Sequence, residues 1–401
     1  MATSKTNPNI VIVGCGINGM FAAYTLLKRG YNVTIIDKNK DGLTSKNNAG
    51  LLTPSLTATP EIGLKEIIQA STIGYGPIYI SPTHILRNLD WFIPTLKHMT
   101  GYEEEIIKLG WKSLKLYEQF FKKEKIQADV IHGVAALYSN KGEASKMAKE
   151  QNGRFIDEKQ ISGLGYKNLG GGVMYDKEIS INPAKLYDGL KERISEMGAT
   201  VILGKEAAIN FEKGKITNID AGQKITADNY LITTGSWTNY MLKPLGYNPH
   251  VLPARGLTML FNTQNSRIIS APSLLEDYGL AVSQHDANTV RVTGFFEMVG
   301  LNGRFKQSRK DWILEILKKH IKEYKKLHMF KEGYGFRPCT PDQLPIIGKV
   351  PGYSNLFVAT GQCRLGVTLA PVTAEIVSDL IEERKSAGIH INHLSPERFT
   401  K

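Results

Sequence analysis

Cysteine is scarce in this chain: 401 residues hold three, Cys15, Cys339 and Cys363. No two of them form a C-x-x-C pair, so neither a disulfide framework nor a structural zinc site is expected, and a reducing compartment fits. No stretch reaches the ~18 consecutive apolar residues that a membrane-spanning helix needs. The polar residues before Asn9 lack the apolar region of a secretory signal, so a cytoplasmic protein is the expectation. No His, Asp and Glu cluster has metal-ligand spacing and no G-x-S-x-G elbow occurs, so neither a bound metal nor serine-hydrolase chemistry is expected. Acidic residues are in deficit, 38 against 50 Lys and Arg, which leaves a formal charge of +12. Much of the excess lies in residues 304–331, where ten basic residues face three acidic ones. There Trp312, Ile313, Ile316, Leu317, Ile321 and Tyr324 recur at helical spacing, which predicts an amphipathic helix with a basic face. A solvated face is the first reading of it, and a peripheral contact with the inner face of a membrane or with an acidic partner the second. Nucleic acid is not expected as a partner, because no nucleic-acid-binding motif accompanies the charge.

What is present is a 42% hydrophobic chain, enough for a large core, and its length fits two domains at roughly 100–200 residues each. Residues 9–14, Asn-Ile-Val-Ile-Val-Gly, read as a buried strand. A helix follows over 17–29, stopped by Gly30, and then a second strand over 32–37. A β-α-β unit of this length makes its strands parallel. Residues 81–121 read as mostly helical, and the glycine-rich 163–172 as a loop. Asn182 and Pro183 suit the N-cap and first position of a helix to residue 197. Strands are predicted at 200–203, 207–211, 216–220 and 229–233, and at 257–261, 280–283 and 289–292 for a second sheet. The last helix is predicted over 369–384. No linker separates the two sets of strands, which implies that the second domain is inserted into the first.

Gly14-Cys15-Gly16-Ile17-Asn18-Gly19 is a G-x-G-x-x-G loop between a strand and a helix. Its glycines permit a tight turn, close approach of backbone to a pyrophosphate, and close packing of helix on strand, with the helix N-terminus facing the phosphates. Asp37 ends the second strand at the offset expected of a ribose-binding carboxylate, with Lys38 beside it. Two more strands end in glycine turns, at Gly235 before Trp237 and at Gly361. Three such turns spread over the chain suit a long cofactor and favour FAD over a nicotinamide dinucleotide.

Further motifs carry a resemblance. They are Thr44-Ser45-Lys46-Asn47-Asn48-Ala49-Gly50-Leu51, the string from Gly335 through Arg337, Pro338 and Asp342 to Gly348, and residues 361–371, which include Arg364, Leu365, Gly366, Val367 and Thr368. With them the chain resembles the FAD-dependent D-amino-acid oxidase superfamily, and within it the D-amino-acid dehydrogenases and glycine oxidase. The resemblance implies an α/β fold: a Rossmann-like FAD domain with an inserted α+β substrate domain carrying a large, mostly antiparallel sheet. It assigns residues 8–83, 181–248 and 334–395 to the FAD domain, and 84–180 and 249–333 to the substrate domain. It also implies noncovalent FAD, since Gly335 stands where sarcosine oxidases carry the flavin-linking cysteine. Cys339 and Cys363 are expected near the flavin.

The resemblance further implies oxidation of a small D-amino or imino acid, of the glycine, D-alanine or D-proline type, with electrons passing to oxygen, a quinone or a dye. Arg337 is the expected carboxylate grip, since a planar guanidinium binds a carboxylate in two places. Arg364 matches a second arginine of glycine oxidase, and Tyr278 a sheet tyrosine that helps hold the carboxylate. Gly366 to Thr368 open the last helix, whose free N–H groups suit the flavin edge where negative charge develops on reduction. Arg255, Arg291, Thr53 and Ser55 are weaker candidates. Oxidation of another secondary amine or a 2-hydroxy acid is the alternative activity, and a flavin-carrying subunit of an electron-transfer assembly the alternative class.

Overall fold

The structure, a computed structural model, describes residues 7–56, 69–71, 76–95, 103–384 and 391–400. The β-branched strand Asn9–Val13 lies in the middle of a six-stranded sheet. Asn32–Asp37 and Asn229–Ile232 flank it, both parallel. Thr200–Leu203 extends the sheet on one side, and Leu356–Thr360 then antiparallel Ile346–Lys349 on the other. Helix Ile17–Lys28 crosses between the first two strands and buries an unbroken run from Gly19 to Leu26. It packs on the last helix, Ala370–Ile381. Arg29, at its end, pairs with Glu375, Asp379 and Glu382 at 2.8–3.0 Å and locks the two together. Helix Pro183–Glu196 begins as predicted: the Asn182 side chain accepts from the Ala184 and Lys185 N–H groups.

A ten-stranded sheet makes the second body. Its path runs His328–Cys339, Leu252–Asn262, Thr289–Met298, Leu280–Gln284, Ser273–Leu275, Ile131–Tyr138, Gly171–Ser180 and Leu51–Leu52. Ile78–Ile80 and Arg154–Ile156 pair at its sides. The long antiparallel strands His328–Cys339 and Leu252–Asn262 set Ala254 opposite Arg337. Two short early strands, Leu51–Leu52 and Ile78–Ile80, belong to this sheet, as does the part of the Arg337 strand after residue 334. A small three-stranded sheet spans residues 208–225.

The basic segment forms helix Gln307–His320, which buries Trp312, Ile313 and Leu317. The predicted helical stretch 81–121 resolves into Pro82–Arg87, Leu89–Thr95 and Glu103–Glu124, with 96–102 outside the described residues. The predicted glycine loop 163–172 extends only to residue 170, because Gly171 already opens a strand. Among the described residues no helix is long and apolar enough to cross a membrane.

Candidate active site

Between the two sheets lies a cavity of about 470 Å³. The strand Asn9–Val13 delivers Gly14 to one wall with φ +113°, where a Cβ would stand 2.5 Å from the Thr233 carbonyl oxygen. At Gly19 a Cβ would lie 2.0 Å from the Gly14 carbonyl oxygen, so this glycine serves the packing of the loop and does not line the cavity. Gly16 does line it, and a Cβ there would meet only Ser45 Oγ, at 3.5 Å. The backbone of the turn is therefore open to a ligand, as phosphate binding requires. The Ile17 N–H donates to Ser45 Oγ at 2.9 Å, which ties the helix start to the 44–50 loop. Asp37 also faces the cavity and accepts from the Cys15 N–H at 2.7 Å and the Asn39 N–H at 2.7 Å. At that end Lys38 lies 4.7 Å over the Trp237 ring, beside Gly235.

The 44–50 loop is held from several sides. Phe336 N–H donates to Thr44 Oγ1 at 3.0 Å, and Asn48 Oδ1 accepts from the Gly50 N–H at 2.8 Å. Thr44, Ser45 and Asn48 line the cavity, whereas Ala49, Gly50 and Leu51 lie behind it. Gly50 is needed there because a Cβ would stand 2.1 Å from the Ile181 carbonyl oxygen. Arg291 donates to the carbonyls of Lys46 and Asn48, and so serves this loop instead of a substrate. Arg255 is likewise structural: it pairs with Glu297 at 2.6 Å, next to Arg309 on the same carboxylate. Ser55 donates its N–H to Glu178 Oε1 at 2.6 Å, and neither it nor Thr53 lines the cavity.

At the other end stand the two predicted arginines. Arg337 Nη1 donates to the Phe295 carbonyl at 2.7 Å, and no carboxylate pairs with Arg337 among the described residues. Burial lowers its pKa to about 10, and the nearby Arg364 charge adds to that, so it remains a cation at neutral pH. Gly256, on the neighbouring strand, leaves it room: a Cβ there would lie 2.7 Å from Nη1. Arg364 has surface open to the cavity, yet enough protein surrounds its guanidinium to lower its pKa, with Glu276 opposing the shift. Burial in turn raises Glu276 to about 7, with Arg364 pulling it down. Gly366 and Val367 line the cavity; Leu365 and Thr368 pack beneath it, with Thr368 Oγ1 donating to the Leu51 carbonyl at 3.5 Å.

Tyr278 is not at the cavity. Its hydroxyl meets His320 Nε2 at 3.0 Å and Lys319 Nζ at 3.2 Å, and its ring packs on Trp312. The same short turn, Glu276–Tyr278, instead sends Glu276 toward Arg364. The cysteine expectation is also corrected. Cys339 and Cys363 form a disulfide across 24 residues, brought together by the meeting of the two sheets. The free cysteine, Cys15, is buried, and burial pushes its thiol up to about 12. Lys205 and Gly256 join the site without any motif that marks them in the sequence, and Thr233 and Gln362 join it from motifs that single out other residues.

These walls fit FAD. Asn18 Oδ1 and Gln362 Nε2 are buried at the cavity without a partner among the described residues, one an acceptor and the other a donor. The glycine loop and Asp37 line the cavity where the phosphate and ribose ends of such a cofactor would be expected.

The chain is similar in fold to iminodiacetate oxidase from Chelativorans sp. BNC1, with TM-score 0.77 and 18% identity over 96% of this chain and 98% of that one. It is similar to glycine oxidase from Geobacillus kaustophilus, with TM-score 0.76 and 18% identity over 98% and 100%. L-proline dehydrogenase from P. horikoshii matches with TM-score 0.75 and 16% identity over 98% of each chain. The FAD dependent oxidoreductase family matches residues 9–380, nearly the whole length over which the glycine loop, the two sheets and the arginine pair are built, and the chain belongs to that family.

Proposed function

We propose that the protein oxidises a small D-amino or imino acid, of the D-proline, D-alanine or glycine type, whose carboxylate is bound by Arg337. The observation that carries this reading is an enclosed guanidinium on the cavity wall with no carboxylate beside it among the described residues. A buried charge costs several kcal/mol unless it is paired, so a site that keeps one open is built for an anion from outside. Bound FAD supplies the acceptor for the hydride that leaves the substrate carbon. Gly14, Gly16, Asn18, Asp37 and the residues after Arg364 would hold it noncovalently, since Cys339 and Cys363 are joined to each other and Cys15 is buried.

The protein's own work is then to bind, orient and shield. Arg337 fixes the position and plane of the carboxylate. Arg364 adds positive charge on the same wall, which favours an anionic ligand and a reaction that accumulates negative charge there. No general base is needed where the amine enters neutral.

Arg337→Ala should lower kcat/KM roughly 30- to several-thousand-fold, the effect of about 2–5 kcal/mol lost with a buried charge pair. Arg337→Lys keeps the charge and loses the planar fork, so it should fall between the two. FAD content should not change in either. Near-normal efficiency of Arg337→Ala toward D-proline and glycine would contradict the reading.

A further inference from the structure

We propose that the Cys339–Cys363 disulfide is a positioning brace for the carboxylate site, tying the strand end that carries Arg337 to the turn that carries Arg364. The inference rests on the reading of those arginines as the carboxylate site. Cys339 stands two residues after Arg337, and Cys363 directly precedes Arg364. Their Cα atoms are 4.4 Å apart, and a β-bridge between Cys339 and Gln362 runs alongside the disulfide.

The two ends are held by different means apart from the bond. The Arg337 strand is paired along its length with Leu252–Asn262, and Cys339 is buried with Trp91, whose indole N–H donates to its carbonyl at 3.2 Å. The turn is a three-residue 3-10 segment, Cys363–Leu365, outside both sheets. Its first residue, Cys363, has φ +44°, a left-handed conformation that non-glycine residues disfavour. The two arginines carry like charge, and with no bound anion between them that repulsion acts on the turn, against the attraction of Glu276 for Arg364. A covalent bond from the sheet-paired end to the turn opposes both tendencies. The cavity is thereby kept shaped for a carboxylate before one arrives, which avoids an ordering cost on binding.

The test uses the FAD-loaded protein. Thiol counting in denaturant without reductant should give one thiol, Cys15, and three after reduction. Benzoate affinity is then read from its perturbation of the flavin spectrum, well below the unfolding temperature. In Cys339→Ala/Cys363→Ala its Kd, and the KM for D-proline, should rise on the order of tenfold or more, because small misplacements of orienting groups are costly. FAD content should stay at the parent level, and kcat should change less than KM. Reduction of the parent by dithiothreitol, which gives two electrons and two protons to the disulfide, should reproduce the weaker benzoate binding, and reoxidation should restore it. This second arm does not depend on the double variant folding. Three thiols in the unreduced protein would overturn the brace, and so would a benzoate Kd within about twofold of the parent in the double-alanine and reduced forms. Arg337→Ala measured alongside separates the two ideas. Loss of benzoate binding there, with none on breaking the disulfide, overturns the brace alone; no loss in either overturns the carboxylate site with it.

Discussion

Glu178 is fully buried, with one carboxyl oxygen accepting from the Ser55 N–H and the other without a partner among the described residues. Burial pushes its pKa up to about 7, against the stabilising bonds from Ser55. An acid raised in this way holds its proton in the native state after the unfolded chain has released it. From about pH 4.5 to about 7, therefore, stability falls as pH rises, and the loss is complete above the folded value. The shift sets an upper bound of roughly 3 kcal/mol on that loss. Glu276 is raised in the same direction and adds its own part. Glu178→Gln should be more stable than the parent at pH 8 and close to it at pH 5, as urea unfolding measures. Identical pH dependence in the two proteins would remove Glu178 from the account. Asp37 gives the second prediction at this scale. It faces the cavity from the end of its strand in the first sheet, whereas Arg337 stands on a strand of the second. Asp37→Ala should weaken FAD binding roughly ten- to hundredfold, the worth of a hydrogen bond to a charged group. Benzoate affinity of the FAD-saturated variant should stay as in the parent; a change in benzoate affinity with full FAD occupancy would misplace Asp37. Asp37, Arg337 and Arg364 are legible in the sequence because each is a charged residue at a fixed offset in a motif. Tyr278, carried over from the resemblance, misleads because the likeness cannot say which residue of a three-residue turn faces inward, and here Glu276 turns toward Arg364. Gly256 is silent because only the folded sheet sets it against a guanidinium.

Elements with a clear period or a clear stop are legible, and some of those buried on every side are not. The helix Ile17–Lys28 and the strands around it follow the predicted bounds within a residue or two. The strands Ile131–Tyr138 and Gly171–Ser180, deep in the path of the large sheet, have no counterpart among the predicted strands. From Gly133 to Tyr138 every residue is buried, so the alternation that marks a half-exposed strand is missing. Gly171 and Gly172 look like loop, but they permit close packing: a Cβ at Gly172 would stand 2.8 Å from Leu137 Cδ2. The disulfide is equally hidden, since its 24-residue separation has no spacing signature. The basic helix is legible through its apolar face. Lys318 and Lys325 are exposed on it or just beyond it, and neither lines the cavity. Lys318→Glu/Lys325→Glu should keep kcat/KM with a soluble dye within about twofold, as surface substitutions cost within roughly ±0.5 kcal/mol. A tenfold loss in that assay would contradict the assignment of this face to the surface.

At the scale of the molecule, the site exists because two sheets built from interleaved stretches of chain meet across one cavity. The first sheet brings the glycine loop and Asp37, and the end of the Arg337 strand brings the guanidinium from the second. The turn after Leu356–Thr360 returns from the first sheet and carries Arg364 to the same cavity. Part of each set of strands is visible in the sequence, but not the crossing of Leu51–Leu52 and Ile78–Ile80 to the second sheet, because two- and three-residue strands carry no pattern. The central claim is that a carboxylate held at Arg337 presents an amine-bearing carbon to bound FAD. It is tested most directly by anaerobic titration of the FAD-loaded protein with D-proline and with pyrrolidine, the same ring without the carboxylate, followed by flavin absorbance. The account predicts that D-proline bleaches the flavin and pyrrolidine, at the same concentration, leaves it oxidised. Equal bleaching by pyrrolidine, or no bleaching by D-proline, D-alanine or glycine, would contradict it.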